Sequence, residues 1–465
     1  MTTPPRGRLL SAVMLGVASG AILVPLNSTM LAVALPGVMD EFGLGASTVT
    51  SLVSLYLGSV AIALPVAGTL GDRFGARRVF LLGVLGFGAA SIVAALATSF
   101  VVLEASRVLQ AASGAFVSTS SAALIRETAP ADRRGEAFGL FDLMVSTSAA
   151  IGPFIGGVIV GLLGWRAMFF LAVPIALVSV LVVGLVLSPA VTHAPDPEAG
   201  QRRVRRPLDV PGLVLLALAI LAFLVALGAV GRLDSTIRTV AAIAVLPLLV
   251  TFVLVELREE HPAVDPRLLT RPPFAGALIG VFGATVVLHG SFILVPLLVE
   301  RLLAQNALTS GIVLLGIAGV GAIVSPFGGR ISDRRGRRGV VVAGSLVSAV
   351  GLAFLALPVS LASAVLVAVL LGVVGFGNGL TSPRQAAALE SVEPARVGMA
   401  AGTYYTGRYL GGVVGASLAG AVLGSTVTTD GVSLGFGLLA AVMVVVALAS
   451  TLLPGRRPAG EAAPA

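Results

Sequence analysis

The sequence predicts an all-α integral membrane protein, and three features support that fold class. The 465-residue chain is 57% hydrophobic and 11% charged, with a mean hydropathy of +1.03, whereas a soluble domain carries about 25% charged residues. Its apolar stretches are continuous over the length of a helix, which excludes the alternating strands of an outer-membrane barrel. Its basic residues concentrate in alternate connections between these stretches. The absence of cysteine excludes disulfide scaffolds and thiol chemistry.

Fourteen apolar stretches are each long enough to cross the hydrocarbon core of a membrane, which needs about 20 residues of helix. Asn27 interrupts the first stretch, which favours a retained span over a cleaved signal peptide. The predicted spans cover residues 9–35, 47–70, 79–98, 101–125, 136–163, 167–188, 210–231, 236–256, 273–298, 308–328, 339–358, 361–383, 397–424 and 432–453.

The placement of arginine predicts the topology. All 30 basic residues are arginines, and the formal net charge is +8. With both termini in the cytoplasm, 24 arginines lie in cytoplasmic segments, four lie in outer loops, and Arg107 and Arg408 lie inside spans. This excess follows the positive-inside rule, so we expect a multi-pass protein of the cell (plasma or inner) membrane. It does not indicate nucleic-acid binding, because no basic helix face accompanies the charge.

A glycine- and arginine-rich turn occurs twice in the chain. Residues 68–78 and residues 329–338 share a Gly, Asp-Arg, Gly and Arg-Arg pattern at an offset of 261 residues, and a second echo relates residues 133–139 to 396–402 at an offset of 263. Two matches at nearly one offset predict a duplicated six-span unit with two extra spans between the copies. The predicted domains are an N-terminal bundle (1–188), a cytoplasmic linker with two extra helices (189–260), a C-terminal bundle (261–454) and a cytoplasmic tail (455–465).

These turns resemble the signature of the major facilitator superfamily, and the whole chain is similar to its fourteen-helix drug:proton antiporter family. The resemblance implies two six-helix bundles plus two inserted helices, with a charge latch at the turns that holds one access state. Plain topology and turn formation are the alternative role for these residues. The predicted latch comprises Gly68, Asp72, Arg73, Gly75, Arg77 and Arg78 in the first copy, with Asp333 and Arg334 in the second.

A pattern of small residues in span 5 is similar to the antiporter motif of that family, with Ser148 in place of a glycine. The resemblance implies export by antiport rather than uptake. Small residues let helices approach closely and a proline kinks a helix, so ordinary packing is the alternative explanation. The motif consists of Gly139, Ser148, Gly152, Pro153, Gly156 and Gly157.

Spans 1 and 4 carry two further similarities to the family. Asn27 stands where the family has an aspartate, and an amide can bind a substrate but cannot carry a proton. Arg107 and Gln110 resemble the family's Arg-x-x-Gln-Gly motif, with Ala111 at its last position. An arginine about six residues inside a span either faces a cavity or a partner, or reaches back to the interface as a snorkelling side chain.

Few other ionisable side chains lie inside the predicted spans. Asp142 suits proton exchange because an ionised carboxylate is costly in a membrane, although an arginine partner is equally compatible with it. Glu104 has a simple explanation as an i,i+3 pair with Arg107, and His289 as a packing residue. Arg408 lies among three tyrosines, which suit either ligand contacts or an interfacial aromatic belt. The predicted proton and substrate pathway comprises Asn27, Glu104, Arg107, Gln110, Asp142, His289, Tyr404, Tyr405 and Arg408.

The resemblance implies a secondary active transporter that exports drug-like or antibiotic small molecules by proton antiport through alternating access. We expect no enzyme activity and no cofactor, because no nucleotide-binding or metal-binding motif occurs. The expected partners are a small-molecule substrate, protons and the lipid bilayer, with the monomer as the functional unit. A transporter of a native metabolite or nutrient is the alternative function, followed by a non-transporting membrane sensor.

Overall fold

The computed structural model describes residues 6–130, 133–186, 209–228, 233–259, 262, 264–393 and 397–455. Within these ranges the regular structure is helical, and no strand occurs. The all-α class is therefore confirmed. The predicted linker residues up to 208 and all but the first residue of the predicted tail lie outside the described residues.

Fourteen long helices make up most of the described chain, and their order follows that of the predicted spans. They are α1 (Arg6–Phe42), α2 (Ser51–Phe74), α3 (Ala76–Ala95), α4 (Phe100–Thr128), α5 (Arg134–Leu163), α6 (Trp165–Val186), α7 (Val210–Ala226), α8 (Ser235–Glu256), α9 (Pro272–Leu297), α10 (Ala307–Arg335), α11 (Arg337–Leu355), α12 (Ala364–Leu380), α13 (Val397–Leu423) and α14 (Thr429–Ala449). Shorter helical segments lie at Ala46–Val49, Pro266–Thr270, Leu298–Leu302, Pro358–Ala362, Arg384–Glu390 and Ser450–Leu452.

Twelve helical regions of the described chain are long and apolar enough to cross a membrane. In hydrocarbon each backbone N–H and C=O group needs a partner, and a helix supplies one within the same segment. The two long helices outside this set are α7, which is apolar but has only 17 residues, and α13, in which Arg408 and three tyrosines lower the apolar character. The protein is thus a multi-pass membrane protein, while a count of fourteen spans stays a prediction.

The N-terminal bundle (α1–α6) and the C-terminal bundle (α9–α14) repeat one packing scheme. In the first, α1 packs against α5 and α6, and α4 packs against α2 and α3. In the second, α9 packs against α13 and α14, and α12 packs against α10 and α11. Adding eight to each helix number converts the contacts of the first bundle into those of the second, so that α9 corresponds to α1 and α14 to α6. Helices α7 and α8 pack mainly against each other, and α7 contacts α2.

The two signature turns have the same backbone shape. Gly75 follows α2 with φ 89° and Gly336 follows α10 with φ 87°, a conformation that glycine adopts without the steric cost of a Cβ atom. Pro65 and Pro326 lie inside the two preceding helices, each ten residues before its glycine. The sequence repeat is thus a repeat of local structure as well.

Two helix pairs, α5–α10 and α2–α13, make the most extensive contacts between the bundles, and α1 and α9 make a smaller one. The two larger contacts exchange under the same eight-helix shift, which relates the bundles by an approximate two-fold axis. We call the end of the molecule that carries the signature turns the arginine-rich end and the other the arginine-poor end. Both pairs make contact at the arginine-poor end. The connections of residues 43–50 and 424–428 also meet there, where Ser47 N donates to Gly424 O at 2.9 Å.

The α5–α10 pair is tight at the arginine-poor end and open at the other. A methyl group placed on Gly157 would lie 2.7 Å from the carbonyl oxygen of Ala307, and one on Gly311 would lie 2.5 Å from that of Pro153. A methyl group placed on Gly139 or Gly329, farther along the same helices, would meet no atom within 4 Å. The two helices therefore diverge toward the arginine-rich end.

The α2–α13 pair diverges in the same direction. Ser54 Oγ and Ser417 Oγ lie 3.1 Å apart across it, and a methyl group on Gly420 would lie 2.4 Å from Thr50 Oγ1. Nearer the arginine-rich end, a methyl group on Gly68 or Gly402 would meet no atom within 4 Å. Two symmetry-related interfaces that both diverge toward one end leave an opening between the bundles there.

Gly157 provides a direct test of the closed part of this interface. We expect Gly157→Leu to lower the free energy of unfolding by about 1–3 kcal/mol, because the side chain would be forced into the backbone of α10. The measurement is the midpoint of thermal unfolding of the purified protein in detergent. The matched control is Gly139→Leu, on the open part of the same helix, which is expected to leave that midpoint unchanged. Equal midpoints for the two variants would contradict the one-ended contact.

Candidate translocation pathway

A single buried arginine joins three helices of the N-terminal bundle. Arg107 of α4 is fully buried, and its Nη1 donates to Asn27 Oδ1 of α1 at 2.5 Å and to Gln110 Oε1 at 2.7 Å. The ring of Tyr56 on α2 lies 4.1 Å from the guanidinium carbon, within cation–π distance. The structure thus brings three predicted pathway residues together and excludes a snorkelling position for Arg107.

The same network extends to α3 and contains no carboxylate. Gln110 Nε2 donates to Ser91 Oγ at 2.7 Å, and Ser91 Oγ donates to Phe87 O. A buried cation that lacks an anionic partner must be stabilised by dipoles and aromatic faces. The amide at position 27 therefore supplies a dipole to Arg107 where an aspartate would have supplied a charge.

Glu104 does not pair with Arg107, which corrects the explanation given for it above. Its carboxylate is buried and accepts a 2.5 Å hydrogen bond from Ser51 Oγ at the start of α2. The physical reason is direction, because Arg107 turns toward α1 and Tyr56 while Glu104 faces the first turn of α2. Glu104 therefore links α4 to α2 near the arginine-poor end.

Asp142 lies on the exposed part of α5 that borders the opening. Fourteen residues farther along, Gly156 contacts Met30 of α1, and the next residue, Gly157, contacts α10. At 3.6 residues per turn, Asp142 falls between these two faces. Among the described residues the structure gives its carboxylate no hydrogen-bond or ion-pair partner, so the arginine partner considered above is absent from this arrangement.

The predicted pathway residues of α13 differ in their exposure. Tyr404 is buried, whereas Tyr405 and Arg408 are exposed on the stretch that borders the opening. The two tyrosine rings make an edge-to-face contact at 6.3 Å, and Tyr405 Oη accepts a 3.2 Å hydrogen bond from Gln385 Nε2. Among the described residues Arg408 makes no cation–π contact, whereas Arg107 makes one with the ring of Tyr56.

His289 occupies a packed position on α9. Its Nδ1 lies 3.1 Å from Thr285 O, and its ring contacts Phe292 edge to face. Thr285 Oγ1 donates to the carbonyl oxygen of Arg408 on α13 at 2.8 Å. The histidine therefore lies beside the α9–α13 contact, in keeping with a packing residue.

The predicted latch residues are mostly exposed at the arginine-rich end. Arg73, Arg78, Asp333 and Arg334 are exposed, and Arg77 Nη2 donates to Gly184 O of α6 at 3.1 Å. Asp72 lies in the last turn of α2, and its side chain is outside the described part of the structure. The role of the turns as a latch therefore stays a prediction.

The small residues of the predicted antiporter motif make α5 fit against α1 and α10. A methyl group on Gly152 would lie 1.9 Å from Thr29 Oγ1, and one on Gly156 would lie 3.0 Å from Met30 Cα. Ser148 Oγ donates to Val145 O of its own helix, and Pro153 lies inside the helix. Packing therefore accounts for Gly152, Gly156 and Gly157, and Gly139 borders the opening.

The sequence reasoning missed, among others, a buried arginine and a partly buried glutamate. Arg384, which the topology assigned to a cytoplasmic segment, is 2% exposed and donates to Gly280 O of α9 and Ser345 Oγ of α11. Glu300, just beyond α9, accepts a 2.9 Å hydrogen bond from Ser310 Oγ. Both residues lie next to the ends of apolar stretches, so hydropathy alone does not show their burial.

The sequence profile of the Major Facilitator Superfamily matches residues 17–416 and 278–465. The chain belongs to this superfamily. The uncharacterized MFS-type transporter YwoD of Bacillus subtilis is 30% identical over 95% of each chain. The tetracenomycin C resistance and export protein of Streptomyces glaucescens is 31% identical over 73% of this chain and 62% of its own. The multidrug resistance protein Stp of Mycobacterium tuberculosis is 29% identical over 90% and 76%.

Solved structures support the fold. A peptide transporter of the POT group superposes with a TM-score of 0.70 at 16% identity, over 97% of this chain and 98% of that one. A POT family transporter in complex with 5-aminolevulinic acid gives 0.70 at 18% identity, over 96% and 95%. The family match makes the chain a major facilitator transporter, a multi-pass membrane protein with a small-molecule substrate.

The Arg107 network gives a stability prediction. Asn27→Leu removes one acceptor from a fully buried guanidinium, so we expect a loss of about 1.5–3 kcal/mol, the range for a hydrogen bond to a charged group. The measurement is thermal unfolding in detergent, with Ser28→Ala, the partly exposed neighbour, as the control. A midpoint for Asn27→Leu that matches the control would show that Arg107 does not depend on this acceptor.

Proposed function

We propose that this transporter exports drug-like or antibiotic small molecules by proton antiport through alternating access. The observation that carries the proposal is the opening between the bundles at one end, bordered by the unpaired carboxylate of Asp142. An antiporter needs a group that exchanges protons with the solution in one access state. Asp142 meets that need because it is exposed while lying on a helix of the bundle interface.

The distribution of arginine sets the direction in this proposal. Most arginines lie in the connections at the arginine-rich end, and the positive-inside rule assigns that end to the cytoplasm. Both termini are then cytoplasmic, all fourteen long helices span the cell membrane, and the structure corresponds to the inward-facing state. In that state a drug enters from the cytoplasm while the arginine-poor end is closed to the outside.

Names of relatives and the lining of the opening support an exported drug as substrate. Two of the similar proteins are named for multidrug resistance and for tetracenomycin C resistance and export. Tyr405 and Arg408 border the opening on the C-terminal bundle, opposite the side of Asp142. Exposed aromatic and charged side chains suit drug-sized aromatic molecules that carry a polar group. The monomer contains both bundles and suffices for the cycle.

Uptake of a native metabolite or nutrient is the second candidate, since the fold itself serves both directions. One solved structure with the same fold is that of a peptide transporter, at an identity that supports the fold alone. The direction of proton-driven flux separates the two functions. Accumulation of drug on the side from which protons flow indicates export by antiport.

Asp142→Asn tests the proton site. In reconstituted vesicles with an imposed proton gradient, the native protein is expected to accumulate fluorescent aromatic drugs against their concentration gradient. The variant is expected to lose this uphill accumulation down to the level of empty vesicles, because an amide cannot release a proton. Exchange of drug down its own gradient should persist.

The matched control is Asp430→Asn, an exposed carboxylate in the first turn of α14 at the arginine-poor end. It is expected to accumulate drug like the native protein. Uphill accumulation by Asp142→Asn at the native rate would refute Asp142 as the proton site. The absence of any gradient-driven drug flux by the native protein would refute the export function itself.

A further inference from the structure

One ion pair crosses from one bundle to the other at the arginine-poor end. Arg301, in the turn Leu298–Leu302 that follows α9, donates through Nη2 to Asp40 Oδ1 at 2.5 Å and to Pro36 O at 2.9 Å. Asp40 and Pro36 both belong to the last turns of α1. We call Asp40 and Arg301 the axis pair.

The two members of the axis pair lie at the ends of corresponding helices, because α1 and α9 exchange under the eight-helix shift and contact each other. They are separated by 261 residues, which is also the offset between the signature residues Asp72 and Asp333. A contact between the ends of two exchanged helices lies close to the two-fold axis that relates the bundles. The opposite charges of Asp40 and Arg301 make this contact attractive.

Neighbouring charged groups are engaged within their own bundles. Glu41, next to Asp40, accepts hydrogen bonds from Trp165 Nε1 and Arg166 of the N-terminal bundle. Glu300, next to Arg301, accepts its bond from Ser310 of the C-terminal bundle. Asp430, in the first turn of α14, is exposed at the same end. The axis pair is thus the ion pair of this cluster that joins the two bundles.

The axis pair borders a cleft between the bundles at the arginine-poor end, which we call the mouth. A cavity of about 420 Å³ is lined by both members of the pair together with residues of the α1–α2 and α13–α14 connections. The side chain of Asp40 is 66% exposed and that of Arg301 is 33% exposed. Ion pairs at such exposure are individually weak, which suits a contact that must break once in every cycle.

We propose that the axis pair holds the arginine-poor mouth closed while the opposite end is open. This inference rests on the alternating access of the proposed function. When the bundles rock, a contact on the two-fold axis at one end opens along with both symmetry-related interfaces of that end. Asp40 and Arg301 are therefore positioning residues that bias the access state, without contacting the substrate.

A disulfide can report the state of the mouth in this cysteine-free chain. A methyl group on Gly45 would lie 3.1 Å from Ser425 Cα, so cysteines at these two positions bring their Cβ atoms within disulfide range across the bundles. The rate of disulfide formation in the variant Gly45→Cys with Ser425→Cys measures how much of the protein has the mouth closed. It needs neither substrate nor a proton gradient.

Charge reversal of the axis pair is the test. Added to the reporter, Asp40→Arg or Arg301→Asp is expected to slow disulfide formation by about fivefold, because attraction between exposed charges becomes repulsion. The double exchange, Asp40→Arg with Arg301→Asp, should restore the rate, since it restores the attraction between the two side chains. Asp430→Arg, an exposed carboxylate of the same end, is the matched control and should leave the rate unchanged.

Unchanged rates in both single reversals would overturn the proposal, as would a double exchange that stays as slow as the singles. If a reversed variant fails to give a monodisperse peak in size exclusion, the neutral variants Asp40→Asn and Arg301→Gln replace it, with a smaller slowing expected. A loss of drug flux with charge-dependent disulfide rates intact would count against the export function and leave the axis pair supported. Normal drug flux together with disulfide rates that do not depend on these charges would support the export function and count against the axis pair.

Discussion

Two symmetry-related helix contacts, α2 with α13 and α5 with α10, determine what the rest of this molecule can do. The α5–α10 contact is built at one end from Gly157 and Gly311, which meet backbone of the opposite bundle, and in the α2–α13 contact Gly420 packs against the side chain of Thr50. Such contacts stabilise only when the helices approach closely. Because both pairs diverge toward the same end, the bundles behave as two bodies joined at one mouth. In this arrangement the space between the bundles is accessible from the arginine-rich end.

Within each bundle, a buried arginine helps to keep three helices together. Arg107 binds Asn27 of α1 and, through Gln110, Ser91 of α3. Arg384, next to α12, binds Gly280 of α9 and Ser345 of α11, the repeat mates of α1 and α3. Neither arginine has a carboxylate among these partners. These dipoles tie each buried charge to helices of its own bundle, and among the described residues the Nε of each arginine has no hydrogen-bond partner.

Sequence alone predicted the helices, the repeat and several members of the site, since these depend on local or periodic signals. Fourteen apolar stretches corresponded to fourteen long helices, and the repeated glycines Gly75 and Gly336 share a positive φ. The partners of those residues were not predictable, because Ser51 with Glu104 and Tyr56 with Arg107 meet through tertiary packing. The pairing of Asp40 with Arg301 did have a signal in the sequence, namely their separation by the repeat offset.

The most direct test of two bodies joined at one mouth is a pair of distances measured in the same protein. Spin labels on cysteines that replace Phe74 and Arg335 report the arginine-rich end, and labels that replace Leu44 and Thr426 report the arginine-poor end. Between alkaline and acid pH, the two distance distributions are expected to shift in opposite directions, one end closing as the other opens. Shifts in the same direction, or a change at one end with the other fixed, would contradict alternating access by rocking of the two bundles.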